Sequence, residues 1–350
     1  MFGRIHLAVL GGFAALCPVA TAGPVSLYVS SGDTHSVLAY DATTGAFQRT
    51  FASGGGLVEP EGIAFGPDGN LYVSSRSDQV LRYDGKTGAF RDAFASGGGL
   101  KDPAGIAFGG PNNDLYVGSG TPDVGTGGNQ VLRYDGRTGV FKGAVDPGNA
   151  GGLADPEGLR FGPDGLLYVL SSDAGEVLRY DPATNRFKDK FVAHAGSGNL
   201  LDPTDLVFGA EGDLYVSSAE TTEVKRYDGK TGAFKGNFVA AGAGGLNEAE
   251  GLAFGPNGNL LVASELGNAV LEYDAATGTF VRQLVPADSG GMAEPTFMAT
   301  GPSPAPAAIP LPPAVVPGLL VFGGVVGVSL RRRPPRVRVG GRRDRRRELA

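Results

Sequence analysis

Tryptophan is absent from the 350 residues, cysteine occurs once, and there are three histidines. The single cysteine, Cys17, lies in a stretch that reads as a secretory signal peptide, residues 1–22. There Arg4 precedes the apolar run Ile5 to Leu16, and Ala20-Thr21-Ala22 supplies an A-x-A cleavage site. The mature chain is therefore expected to hold no thiol, which excludes disulfides, thiolate nucleophiles and thiolate metal sites. His35 and His194 are the two histidines left in it. No Ser/His/Asp order, phosphate loop or His-x-x-x-His pair occurs. Basic residues are scarce in the body: residues 23–330 carry 19 against 34 acidic ones. Such a body lacks the Lys/Arg contacts that neutralise phosphates, so nucleic acid is excluded as a partner.

Glycine, by contrast, is abundant, with 59 residues and no G-x-y period. A 41% hydrophobic content argues against disorder, leaving many tight turns as the reading. A repeat supplies those turns. The string L-Y-V-x-S and its variants begin at Leu27, Leu71, Leu115, Leu167, Leu214 and Leu260, spaced 44, 44, 52, 47 and 46 residues apart. V-L-x-Y-D-x-x-T-G-x-F or a near relative follows each, as at Val80–Phe90. All but the first are preceded by P-E-G-I-A-F-G-P-D-G-N or a relative, at Pro60, Pro103, Pro156, Pro203 and Ala249.

Each unit thus holds four short runs rich in Val, Ile, Tyr and Phe, joined by D-G and T-G turns, the pattern of antiparallel hairpins. Four-stranded units of this length predict an all-β fold, a β-propeller, over residues 23–301. The first unit lacks its G-I-A-F strand, and the missing strand recurs at the other end as Glu294 to Pro302. The expectation is therefore six blades of four antiparallel strands, with the N- and C-terminal strands closing one shared blade.

In such a blade the start of the innermost strand and the end of the second strand meet at the channel mouth. The residue before each innermost strand is Glu61, Ala104, Glu157, Thr204, Glu250 or Thr296, with Asp205 beside Thr204. The second strands are followed by Asp33, Arg76, Asp173, Glu220 and Glu265. Glu61, Glu157 and Glu250 then stand at three-fold positions as candidate ligands for a hard cation such as Ca²⁺, alongside a mouth lined by Thr204, Asp205 and Thr296. A second acidic series, Glu59, Asp102, Asp155, Asp202, Glu248 and Glu294, precedes the proline or its equivalent in every unit. Its regularity points to a structural role, capping loop amides. Arg76 and Arg160 read as surface ion pairs.

The units P-E-G-I-A-F-G-P-D-G-N-L-Y-V-S-S resemble the NHL-repeat and streptogramin-lyase-like propellers and, more distantly, the SMP-30/gluconolactonase group, over about residues 25–301. The lack of tryptophan separates them from WD40 repeats. The resemblance implies two function classes, a non-enzymatic binding or scaffold module and a metal-dependent lyase or lactonase. Under the second, Glu61, Glu157 and Glu250 are the metal ligands and His35 is the base, although no histidine stands at a strand start.

The chain ends in a Pro/Ala-rich linker (302–317), a short apolar run (318–330) and an Arg-rich tail (331–350). Counted from Ala314 the apolar stretch is 17 residues, the lower limit for a membrane span, with the arginines on the cytoplasmic side. The order of Ile309-Pro310-Leu311-Pro312-Pro313, apolar helix and Arg331-Arg332-Arg333 resembles PEP-CTERM sorting tails of the V-P-L-P-A type. That resemblance implies export, transient inner-membrane anchoring through 314–330 and recognition by an exosortase-type enzyme. It also implies a final place in the periplasm, at the cell surface or outside the cell. Partners there would be surface glycan, polymer or protein.

Overall fold

The computed structural model describes residues 25–120 and 129–304. Its 24 strands form six four-stranded antiparallel sheets. Blade 1 joins β1 (Val25–Ser31), β2 (Ser36–Asp41) and β3 (Phe47–Ser53) to the last strand of the chain, β24 (Pro295–Pro302). Blade 2 runs β4 (Pro60–Phe65), β5 (Leu71–Ser75), β6 (Gln79–Tyr83), β7 (Phe90–Ser96). Blade 3 runs β8 (Pro103–Gly109), β9 (Asp114–Ser119), β10 (Gln130–Tyr134), β11 (Phe141–Val145). Blade 4 runs β12 (Pro156–Phe161), β13 (Leu167–Ser171), β14 (Glu176–Asp181), β15 (Arg186–Val192). Blade 5 runs β16 (Pro203–Phe208), β17 (Leu214–Ser218), β18 (Glu223–Tyr227), β19 (Phe234–Val239). Blade 6 runs β20 (Ala249–Phe254), β21 (Leu260–Ser264), β22 (Ala269–Tyr273), β23 (Phe280–Val285).

The expected six-bladed propeller is therefore present, and its closure is as the repeat arithmetic requires. β24 pairs antiparallel with β1, from Val25 opposite Pro302 to Ser31 opposite Pro295. The Tyr28 hydroxyl donates to the Pro302 carbonyl at 2.6 Å, which fastens the two ends of the chain together.

Repeat residues cement the blades to one another. The tyrosine of L-Y-V stacks edge-on against the innermost-strand phenylalanine of the next blade, as Tyr72 does on Phe108 at 4.7 Å and Tyr168 on Phe208 at 5.0 Å. Such pairs contribute about 0.5–1.5 kcal/mol beyond burial. The junction between blades 6 and 1 lacks that pair, because Leu261 and Thr300 hold the two positions. There Leu27, Leu38, Leu261, Met292 and Met298 form an aliphatic cluster instead.

The D-x-x-T-G turn is an Asx turn. Asp84 Oδ1 accepts the Lys86 and Thr87 amides at 3.0 and 2.8 Å and the Thr87 hydroxyl at 2.9 Å. These donors hold the Asp84 carboxyl well below its ordinary range. The following Gly88 has φ of 74°, and a Cβ there would sit 1.7 Å from the Phe51 carbonyl oxygen of the preceding blade, so only glycine fits. In blade 5 the pattern departs at Lys225, which stands where the other blades have leucine. It is 1% exposed and its ammonium reaches the Glu223 carboxylate at 2.7 Å.

The expected signal peptide, apolar run and tail, and the linker beyond residue 304, lie outside the described residues, whereas Pro302, assigned to the linker, is the last residue of β24. Among the described residues, no helix is long and apolar enough to cross a membrane.

Candidate functional site at the channel mouth

The serine that ends each second strand builds the mouth. Ser75 Oγ accepts the Val58 amide at 2.9 Å and donates to the Val58 carbonyl at 3.1 Å. Ser31, Ser119, Ser171, Ser218 and Ser264 make the same pair of bonds to Ala293, Lys101, Ala154, Leu201 and Asn247. Each bond pair pins the residue before the acidic one. The acids that follow, Glu59, Asp102, Asp155, Asp202, Glu248 and Glu294, all take left-handed backbone with φ between 38° and 60°.

Three of these acids have their own amide capped by the hairpin turn of the preceding blade: Glu59 N–H donates to His35 Nδ1 (3.0 Å), Asp102 N–H to Asp78 Oδ1 (3.1 Å) and Glu294 N–H to Asn268 Oδ1 (2.9 Å). His35 is thus the equivalent of Asp78 and Asn268, exposed, with Nδ1 already engaged by an amide.

The strand ends also correct the register of the second acidic set. The residues in the position of Arg76 are Gly32, Gly120, Ser172, Ala219 and Glu265. Asp33, Asp173 and Glu220 fall one residue later, exposed on the hairpin turns. Arg76 and Glu265 are therefore the two charged residues at this position.

Arg76 is a hub and not a surface pair. Its guanidinium lies 3.1 Å from Glu59, 3.5 Å from Glu61 and 3.2 Å from Asp102 of the next blade. Around Glu61, Arg76, Asp102, Asp155 and Glu157 it leaves a cavity of about 10 Å³, no more than one water molecule fills. On the other side of the mouth Glu250 is 8% exposed. Burial first, and then the carboxylates of Glu265, Asp202, Glu61 and Glu157, push its pKa well above the usual range.

The remaining predicted mouth residues are committed to structure. Thr204 donates to the Ala249 carbonyl at 3.0 Å and Thr296 to the Pro60 carbonyl at 3.1 Å, each reaching the start of the next innermost strand. Asp205 is 1% exposed, and its carboxylate accepts the Leu206 amide at 2.8 Å and the Leu252 amide of blade 6 at 2.9 Å. Arg160 of blade 4 reaches the same carboxylate at 3.2 Å and the Leu252 carbonyl at 3.4 Å, so one pair ties three innermost strands together. Sequence reasoning placed Arg160 on the surface. The signal was available, because arginine stands where the other repeats have Ala or Val, and Asp205 where four of them have glycine. Those glycines mark close approach: a Cβ on Gly62 would lie 2.5 Å from the Ala104 carbonyl oxygen.

Three glutamates were expected to share a cation. Glu250 lies within electrostatic reach of Glu61 and Glu157. Yet among the described residues no group of three or more His, Cys, Asp or Glu side chains is placed to hold a metal ion. A Ca²⁺ ion requires its oxygens at about 2.3–2.6 Å, so this donor set does not fit one.

At the other end of the innermost strands an open cleft of about 550 Å³ lies between blades 3 and 4, lined by Phe108, Phe161, Leu166 and Pro182. It is larger than the mouth cavity but poorer in chemistry, since its Asp164 is engaged by the Leu166 amide and the Tyr168 hydroxyl.

Residues 49–83 match the strictosidine synthase-like N-terminal family. None of the curated proteins matches the sequence. Among solved structures, the chain is similar to one from a nidogen/laminin complex, with TM-score 0.62, 15% identity, and coverage of 79% of this chain and 98% of that one. A protein of unknown function from Bacteroides caccae gives 0.58 at 14% identity, over 79% of this chain and 98% of that one. Virginiamycin B lyase from Staphylococcus aureus gives 0.51 at 14% identity, over 68% and 73%. The chain shares its fold with these proteins. At such identities the likeness extends to the propeller alone.

Proposed function

We propose that the protein is an exported, surface-sorted propeller that works as a non-enzymatic binding or scaffold module, with its acidic mouth as the binding surface. The observation that carries this reading is how much of the mouth is committed to holding the fold together. His35 Nδ1 holds a backbone amide, Asp205 holds Arg160, Thr204 and Thr296 hold neighbouring strands, and Glu61 is neutralised by Arg76. What remains is a rigid acidic rim. Similar folds serve both classes, one occurring in a nidogen/laminin complex and one in a lyase.

Two measurements test the reading. Fractionating cells that express the full chain should recover it outside the cytoplasm, and incubation with cyclic depsipeptides and lactones, with and without divalent cations, should give no turnover. Turnover that disappears in Glu157→Ala would make the protein a lyase or lactonase. Retention of the full chain in the cytoplasm would remove the export half of the reading.

A further inference from the structure

The repeat contains its own reference for a cation site. In blade 2, Glu59, Glu61 and Asp102 surround the Arg76 guanidinium at 3.1–3.5 Å. Two blades away the same three repeat positions are Glu248, Glu250 and Glu294, and the position of Arg76 is Glu265. Blade 6 therefore repeats the acidic set and puts a fourth carboxylate where blade 2 has its cation.

Glu248, Glu265 and Glu294 have interactions of their own. Glu250 is the unmet group. It is 8% exposed. Among the described residues its carboxyl accepts no hydrogen bond and forms no ion pair, and it faces the carboxylates of Glu265, Asp202, Glu61 and Glu157. A buried carboxyl so placed is stabilised by a proton or by a cation brought from outside. The acids are not gathered closely enough to share a metal ion. A guanidinium is wider, presents five N–H donors in a planar fork, and is what the equivalent acids of blade 2 already hold.

We propose that the blade 6 side of the mouth binds a guanidinium supplied from outside, the side chain of an arginine on a protein or peptide partner, with Glu250 as its central acceptor and Glu248, Glu265 and Glu294 around it. The proposal rests on the binding-module reading and names the chemistry of its ligand. An arginine in trans would do for blade 6 what Arg76 does in cis for blade 2.

The test titrates the purified full chain with N-acetyl-L-arginine amide, followed by calorimetry. Saturable binding is expected with Kd of about 1 mM or tighter, as befits a single charged side chain. Glu250→Gln should weaken it by about tenfold or more, since it loses a charge-assisted acceptor. Glu265→Arg should abolish it by placing a guanidinium in cis, and should raise the melting temperature, so this variant reports even where Glu250→Gln folds poorly. Arg76→Ala should open a second site, moving the stoichiometry from about one toward about two per chain. The absence of saturation up to roughly ten times that Kd overturns the proposal. So does binding that survives unchanged in both Glu250→Gln and Glu265→Arg, or Glu250-dependent Ca²⁺ binding that the arginine amide does not displace. Failure here without substrate turnover leaves the binding module standing, whereas Glu157-dependent turnover removes the reading beneath it.

Discussion

Blade 2 and blade 6 share their four-stranded order and the serine that pins the linker, but carry opposite charges at one repeat position. In blade 2 the residue after the second strand is Arg76, and the acids around it are neutralised within the fold. In blade 6 it is Glu265, and the neighbouring Glu250 is held away from ionisation by burial and by other carboxylates. One side chain thus converts the same scaffold from a closed ion cluster into an unmet acid. The difference also shows that a regular repeat can hide its functional asymmetry, because the two blades have the same strand order and the same pinning serine.

The largest expected effect comes from the contact that blade 6 has and blade 2 lacks. Arg160 crosses from blade 4 to hold Asp205, whose carboxylate is 2% exposed and also bonds the Leu252 amide of blade 6. Arg160→Ala leaves that carboxylate with amide donors and no counter-charge, and should cost about 3 kcal/mol in urea unfolding. Adding Asp205→Gly restores the residue types found in the neighbouring repeats, and the double variant should return to within about 1 kcal/mol of the parent. A double variant as unstable as the single one would mean that Arg160 acts through packing and not through the pair. Next in size is Arg76→Ala, which leaves Glu59, Glu61 and Asp102 facing one another. With the arginine side chain 29% exposed and Glu59 at 45%, solvent screens part of the loss, so about 2 kcal/mol is expected. Equal stability with and without Arg76 would erase the distinction between the two blades.

The ring itself was legible in the sequence because its determinants are local and repeated. Y-D-x-x-T-G encodes an Asx turn, L-Y-V-x-S a buried strand with a pinning serine, and the displaced Glu294–Pro302 strand its own closure against β1. The candidate site was legible only in part. Glu61, Glu157 and Glu250 do line one mouth, but the states of Glu61 and Glu250 are set by charges that the repeat does not share, Arg76 and Glu265 of their own blades and Asp202 of a neighbouring one. Asp33, Asp173 and Glu220 were misplaced by one residue because the second strands end at serine, a boundary that hydrophobic pattern does not mark. Asp205 and Arg160 were misread for another reason. Each is a departure from the repeat, and a departure at a close-approach glycine position signals a contact across blades that composition does not reveal.

The smallest effect is the most direct measure of the comparison, because it depends on pH. Glu250 has its pKa raised in the folded protein, so the native state keeps a proton that the unfolded chain releases in the ordinary carboxyl range, near pH 4.3. At lower pH both states are protonated and Glu250 exacts no penalty. As pH climbs from there toward the folded pKa, the wild type loses stability progressively. Glu250→Gln does not titrate. The two proteins should match near pH 4, and the variant should become more stable by on the order of 1 kcal/mol at pH 8. The Asx-turn aspartates, including Asp84 and Asp274, have lowered pKa values and lose their contribution as pH falls through the folded pKa, but equally in both proteins, so the difference isolates Glu250. Parallel stability profiles from pH 4 to pH 8 would show that Glu250 is an ordinary solvated acid. Saturating arginine amide supplies a further discrimination: a cation beside Glu250 replaces the proton, so the wild-type slope should flatten while the variant's profile stays as it was.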